Sequence, residues 1–130
     1  MRGLTVELPT AQGWVRPVNE VSLRVGAGEC LGLVGESGSG KTMLSLALMG
    51  LLPTGARVLG QAWLESRTEA GSGVRRNVLL LSDEEMRELR GRELAMIFQE
   101  PMTSLNPVMR VGAQVGEAIR EHYPKMVPVV

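Results

Sequence analysis

The sequence is poor in cysteine and has no excess of charge of either sign. Its single cysteine, Cys30, excludes an internal disulfide and favours a reducing compartment. Lys and Arg together number 14, and Asp and Glu also number 14, so the formal net charge is zero. A protein that holds nucleic acid by bulk charge needs a surplus of basic residues to neutralise phosphates. The balance therefore argues against a nucleic-acid partner.

The sequence also lacks long hydrophobic runs. The longest nearly apolar stretch, residues 43–53, is too short to cross a bilayer, which needs about 20 residues. The first eight residues carry Arg2 and Glu7 and have no apolar run of the kind found in secretory signals. We expect a cytoplasmic chain whose link to a membrane, if it has one, comes through a partner.

What is present is a mixture of strand and helix patterns. Alternating or continuous apolar residues predict strands at residues 4–8, 21–25, 30–34, 56–63 and 94–98. Helices are predicted at 41–52, which Pro53 stops, and at 113–122. A third helix begins at Ser82 with a capping box to Glu85, and Gly91 is placed to end it. The segments 9–17, 71–73 and 101–107 are predicted turns or loops, and 124–130 has no clear period.

One segment has a pattern with a specific chemistry. Residues 35–42 fit G-x-x-x-x-G-K-[ST] in full, between a predicted strand and a predicted helix. In this pattern glycines turn backbone N–H groups inward around a phosphate, and the helix N-terminus faces the same anion. Lys41 reaches the β- and γ-phosphates and the Thr42 hydroxyl ligates Mg²⁺. The predicted nucleotide-binding residues are Gly35, Glu36, Ser37, Gly38, Ser39, Gly40, Lys41 and Thr42. The plainer alternative is a glycine-rich turn that joins a strand to a helix.

Two stretches resemble a known family. Residues 32–42, Gly-Leu-Val-Gly-Glu-Ser-Gly-Ser-Gly-Lys-Thr, resemble the Walker A region of ABC importers of the oligopeptide, dipeptide and nickel class. Residues 95–107, Ala-Met-Ile-Phe-Gln-Glu-Pro-Met-Thr-Ser-Leu-Asn-Pro, resemble the Q-loop segment of the same subfamily. The lead-in from Leu80 to Gly91 is also similar, so the resemblance covers roughly residues 4–119.

The resemblance implies a fold, cofactors and partners. It implies an α/β fold, a P-loop (RecA-like) core with an antiparallel β-subdomain, and ATP with Mg²⁺ as cofactors. Gln99 would contact Mg²⁺ or the attacking water, so Gln99 and Lys41 are the expected catalytic residues, and Thr42 and Gln99 the metal ligands. The intact subunit would hydrolyse ATP on the inner face of the cell membrane. Its partners would be permease subunits at the Q-loop region, a second ATP-binding subunit and, indirectly, a substrate-binding protein.

The sequence departs from the family pattern in two places. The family's adenine-stacking aromatic residue falls near Leu8 and Pro9, neither of which is aromatic; Trp14 could substitute, although a lone Trp more often packs. The signature motif, the Walker B strand with its catalytic glutamate and the switch histidine do not occur before Val130, and His122 is read as a surface residue. We therefore expect the N-terminal part of one nucleotide-binding domain, with residues 1–98 as β-subdomain and core, 99–123 as Q-loop and start of the helical subdomain, and 124–130 as a divergent tail.

Several interpretations stay open at this point. The chain is an incomplete ATPase subunit of a peptide or nickel importer, a vestigial nucleotide-binding fragment without transport function, or an ABC-type DNA-repair ATPase. No heptad of the kind that opens the coiled coil of DNA-repair ATPases begins here, which disfavours the third. Cys30 is expected to be a small buried hydrophobe, and Glu36 and Glu100 loop residues without a catalytic role. Met96, Met102 and Met109 either receive a helix of the membrane partner or fill the core.

Overall fold

A computed structural model describes residues 1–67, 73–99 and 105–123. The chain divides into two compact units, Met1–Met86 and Arg87–Val130. The first unit holds the strands β1 (Arg2–Thr10), β2 (Gly13–Val21), β3 (Arg57–Gln61), β4 (Trp63–Arg67) and β5 (Gly73–Asn77). It also holds helix α1 (Lys41–Leu48) and a 3₁₀ turn at Val78–Leu80. Helix α2 (Asp83–Leu89) spans the unit boundary, and α3 (Val111–His122) lies in the second unit.

The main sheet is antiparallel, with strand order β2-β1-β3. Its centre is β1, which confirms the strand predicted at residues 4–8. All four residues from Leu4 to Glu7 are buried, because β1 has a neighbour on each side. Leu4, Val6 and Val18 form the apolar side of this sheet, and Leu44 and Ala47 of α1 are also buried. The mixed α/β composition and the antiparallel strands agree with the α/β class and with the antiparallel β-strands that were predicted.

The start of β2 was predicted incorrectly. Residues 9–17 were expected to be a turn-rich break, but only Ala11 and Gln12 form the turn, and β2 begins at Gly13. The predicted strand at 21–25 is not formed, since β2 ends at Val21. Leu23 still exchanges backbone hydrogen bonds with Met1. The Ser22 hydroxyl, however, accepts the Gly3 N–H at 2.8 Å. This side-chain bond takes the place of the next backbone hydrogen bond that a regular antiparallel strand pair would form.

The two predicted buried strands, 30–34 and 94–98, are also not formed. Residues 30–34 are irregular and exposed; Val34 is 93% exposed, and Cys30 is exposed rather than a buried hydrophobe. In the second segment only Leu94 makes an isolated bridge, to Arg90, and Ile97 is 97% exposed. A strand exists only where a neighbour completes its hydrogen bonds. Within the described residues no strand lies beside either segment, so an apolar run alone does not produce one.

The β3–β5 region contains more strands than the sequence indicated. The single strand predicted at 56–63 is two strands, separated at the buried Ala62. The Asn77 side chain accepts the Ala62 N–H at 3.1 Å, which turns the chain from one sheet into the next. Gly73, predicted to lie in a flexible segment, begins β5 and pairs with Arg67. The rest of that segment, residues 71 and 72, lies outside the described residues.

The ends of α1 and α2 lie at glycines with positive φ and at a capping box. Helix α1 ends before Gly50 and not at Pro53, because Gly50 adopts φ +62°. The Leu51 N–H donates to the Leu46 carbonyl and the Gly50 N–H to the Ala47 carbonyl, the two bonds of a Schellman motif. The capping box at Ser82 and Glu85 is confirmed, as is the helix end before Gly91 at φ +79°. The helix predicted at 113–122 is confirmed and begins two residues earlier.

Candidate functional site

The centre of the site is the loop from Gly35 to Gly40, which leads into α1. Gly38 and Gly40 have φ of +79° and +89°, a region that residues with a side chain rarely adopt. A Cβ at Gly40 would overlap the Pro17 carbonyl oxygen of β2, so the loop lies directly against the sheet. Both the backbone conformation and the close approach require glycine at position 40.

The loop turns back on itself before the helix begins. The Ser39 N–H donates to the Glu36 carbonyl at 3.2 Å, and the Leu44 N–H donates to the Gly40 carbonyl at 2.9 Å as the first bond of α1. Gly40 is the N-cap of α1 and no side chain caps the helix, so the first N–H groups of α1 are available to an anion. The first turn contains no acidic side chain that would repel one.

Lys41 is the cation of the site. Its ammonium nitrogen Nζ donates to the Gly35 and Glu36 carbonyl oxygens, both at 2.7 Å, and to Ser39 Oγ at 3.1 Å. The side chain therefore folds back over the loop that precedes it. This places a positive charge among the loop residues.

Thr42 follows Lys41 in the first turn of α1 and is exposed. Its hydroxyl has no hydrogen-bond partner in the part of the chain that the structure describes. A free hydroxyl beside a phosphate site is suited to ligate Mg²⁺, a hard cation that prefers oxygen ligands. The residues present thus fit both a phosphate group and its metal ion.

A pocket of about 300 Å³ adjoins the loop. Its walls come from three parts of the first unit and are mostly apolar: Pro17, Val18, Asn19 and Val21 of β2, Leu33 to Gly35, and Ser39, Gly40, Lys41 and Leu44. The sheet, the loop and α1 therefore border one pocket, which is open to solvent.

Trp14 lies at the start of β2, with 46% of its surface exposed. The Arg57 guanidinium carbon of β3 lies 3.9 Å from the centroid of its ring, so one ring face is already covered by a cation. Arg16, two residues on, donates from Nε to the Glu7 carboxylate at 2.8 Å. The sequence did not indicate either pair, because each joins residues of different strands.

Gln99 lies in the second unit and is exposed, after a segment that is not a strand. The Q-loop residues 100–104, with Glu100 and Met102, lie outside the described residues, as does the tail 124–130. Met96 is partly buried and Met109 is 40% exposed.

Gln114 of α3 was not singled out by the sequence analysis. Its side-chain amide accepts the Asn106 N–H at 2.8 Å and donates to the Asn106 and Met109 carbonyls at 2.9 and 3.0 Å. It thereby fixes the turn that precedes α3. Only the three-dimensional arrangement reveals this role, because a single Gln within a helix has no distinguishing sequence pattern.

Residues 18–126 match the ABC transporter family. The chain belongs to the ABC transporter family. It is 45% identical over 119 residues to the oligopeptide transport ATP-binding protein OppD of Salmonella typhimurium, covering 92% of this chain and 33% of that protein. It is 42% identical to the probable D,D-dipeptide transport ATP-binding protein DdpD of Escherichia coli, covering 93% of this chain and 35% of that protein.

A further ABC relative is the glutathione import ATP-binding protein GsiA of Salmonella choleraesuis, 48% identical over 125 residues, with 92% of this chain and 19% of that protein covered. The chain spans about a third of the length of the first two relatives. These matches confirm the family resemblance seen in residues 32–42 and 95–107. Among the described residues, no helix is long and apolar enough to span a membrane.

Proposed function

We propose that the chain binds Mg²⁺-ATP at residues 35–42. The observation that supports this proposal is that positive glycine φ values, uncapped α1 N–H groups and a Lys41 ammonium folded onto the loop all occur within residues 35–42. Lys41 and the N–H groups hold the phosphates, and the Thr42 hydroxyl holds the metal ion. When bound, Mg²⁺ neutralises charge on the phosphate oxygens.

For the adenine of the proposed ligand, the candidate stacking residue is Trp14. Leu8 and Pro9 offer no aromatic ring, and Trp14 has one face covered by Arg57. Stacking on Trp14 would use the other face of its ring. Substituting Trp14 by Ala would then weaken ATP binding while leaving tripolyphosphate binding unchanged.

In the full-length protein we propose an ATPase role in an importer of peptides or nickel. Two relatives are named oligopeptide and D,D-dipeptide transport ATP-binding proteins, which supports the substrate class. In this proposal Gln99 contacts Mg²⁺ or the attacking water, and its amide can both donate and accept without changing charge. Permease subunits bind near the Q-loop, and a second ATP-binding subunit completes the site, on the inner face of the cytoplasmic membrane.

The binding proposal is tested by titrating Mg²⁺-ATP into the purified chain in a calorimeter. Lys41→Ala should weaken binding at least about tenfold, since a hydrogen bond from a charged donor contributes about 1.5–3 kcal/mol. Arg24→Ala, which removes an exposed cation outside the pocket, is the matched control and should leave binding unchanged. Equal affinity in the wild type and Lys41→Ala would refute the proposal.

The transport proposal requires the full-length protein together with its permease partners. Uptake of a labelled oligopeptide or of Ni²⁺ into cells that lack the native transporter should require Lys41. A Lys41-dependent nucleotide site without uptake of either solute would favour a nucleotide-binding fragment without transport function.

A further inference from the structure

All three N–H donors of the Lys41 ammonium are engaged within the loop. Two go to the Gly35 and Glu36 carbonyl oxygens at 2.7 Å, and the third goes to Ser39 Oγ at 3.1 Å. An ammonium has three donors and no acceptor. A phosphate oxygen that accepts a hydrogen bond from Lys41 must therefore displace or share one of these three partners.

The bond with Ser39 is the one most readily exchanged. It is the longest of the three, and its acceptor is a neutral hydroxyl on a side chain that can rotate. The two carbonyl oxygens belong to the backbone, and the Glu36 carbonyl is further fixed because it also accepts the Ser39 N–H. A phosphate oxygen is a charged acceptor and forms a stronger bond with an ammonium than a hydroxyl does.

The Ser39 hydroxyl also lies on the inner side of the loop. A Cβ built at Gly35 would be 2.7 Å from Ser39 Oγ and 3.8 Å from Lys41 Nζ. The hydroxyl, the ammonium and the bare Cα of Gly35 are therefore neighbours. The glycine at position 35 leaves the space in which the Ser39–Lys41 bond forms.

From these contacts we propose that Ser39 is a positioning residue for Lys41, and that its hydroxyl competes with the phosphate for the third N–H of the ammonium. The inference rests on the proposed function and deepens it, since it concerns the same loop. The hydroxyl keeps the Lys41 side chain folded over the loop and lowers the affinity for phosphate groups. Ser39 thus acts through the Lys41 side chain.

The test measures the affinity of the full chain for magnesium tripolyphosphate, which contains the phosphates without a nucleoside. Ser39→Ala removes the competing acceptor, and binding should tighten about two- to fivefold, the range expected for one modest hydrogen bond. Ser39→Thr keeps the hydroxyl and should retain the wild-type affinity. Ser39→Cys supplies a weak acceptor and should fall between Ser and Ala. Unchanged or weaker binding in Ser39→Ala would overturn the inference.

Two further measurements distinguish a failure of this inference from a failure of the proposed function. In a Lys41→Ala background, Ser39→Ala should have no effect on the residual affinity, because the competing donor is gone. If Ser39→Ala tightens binding in that background, the hydroxyl does not act through Lys41. Wild-type binding that does not depend on Lys41 would refute the proposed function itself. Circular dichroism spectra and unfolding midpoints confirm that each variant is folded, and if Ser39→Ala is not, Ser39→Cys against Ser39→Thr provides the same comparison.

Discussion

At the scale of single residues, position 40 is the most constrained in the loop. Its φ of +89° is unfavourable for any residue with a Cβ, and that Cβ would overlap the Pro17 carbonyl. Backbone atoms cannot rotate away as the end of a flexible side chain can, so the overlap requires the loop or β2 to move.

We therefore expect Gly40→Ala to destabilise the chain more than the same change at Gly28. Gly28 has a similar φ of +76°, but a Cβ there would meet nothing within 4 Å. Gly28→Ala should cost only the conformational penalty of about 1–2 kcal/mol. Gly40→Ala should cost clearly more and also reduce Mg²⁺-ATP affinity. Urea unfolding of both variants measures the difference; equal costs would show that the contact with Pro17 is not limiting.

Residue patterns that depend only on near neighbours were predicted well. The glycine loop, the capping box at Ser82 and the helix end before Gly91 all appear in the structure. Each is set by hydrogen bonds that span six residues or fewer, so the sequence contains all the information they need. Residues 35–42, the proposed nucleotide site, are adjacent in the sequence for the same reason, and their ligand stays a prediction.

Patterns that depend on a distant partner were predicted poorly. The apolar run 30–34 has the composition of a buried strand but no strand beside it among the described residues, and Val34 is exposed. The Arg57–Trp14 and Arg16–Glu7 pairs join different strands, so only the register of β1, β2 and β3 reveals them. Apolar composition reports that a segment prefers burial, but not what it packs against.

At the scale of elements, helix α2 depends on its N-terminal cap. Ser82 N–H and Oγ–H both donate to the Glu85 carboxylate at 2.8 Å, and Ser82 Oγ accepts the Glu85 N–H at 3.3 Å. The backbone bond and then the hydroxyl bond from Ser82 lower the pKa of Glu85 below its ordinary value. The charged form is therefore favoured when the helix is folded.

This shift gives the cap a defined pH dependence. A carboxyl whose pKa is lowered in the folded state stabilises the fold above its unfolded pKa, and the contribution disappears as the pH falls through the folded pKa. We expect the α2 cap to be intact at neutral pH and to weaken below about pH 4. In Ser82→Ala the Glu85 pKa should rise toward its ordinary value. NMR titration of the Glu85 carboxyl carbon in both proteins measures this, and an identical pKa in the two would contradict the assignment of the cause.

At the scale of the whole molecule, buried and exposed apolar side chains are expected to affect different properties, the first stability and the second association. Leu4 is fully buried and Val6 equally so, whereas Val34 is 93% and Ile97 is 97% exposed. Truncating a buried Leu removes its packing and leaves a cavity, and typically costs about 2–5 kcal/mol. Exposed side chains contribute little to stability, but they enlarge the apolar surface that is available for association.

The two substitutions Leu4→Ala and Val34→Thr should therefore distinguish an effect on stability from an effect on association. Leu4→Ala should lower the free energy of unfolding by about 2–5 kcal/mol, because Leu4 packs in the centre of the β2-β1-β3 sheet. Val34→Thr should change it by less than about 0.5 kcal/mol and should reduce binding of a hydrophobic dye. Urea unfolding and dye fluorescence at matched protein concentration give both quantities. A cost above about 1 kcal/mol for Val34→Thr would mean that residues 30–34 are packed in solution as the buried strand that their composition predicts.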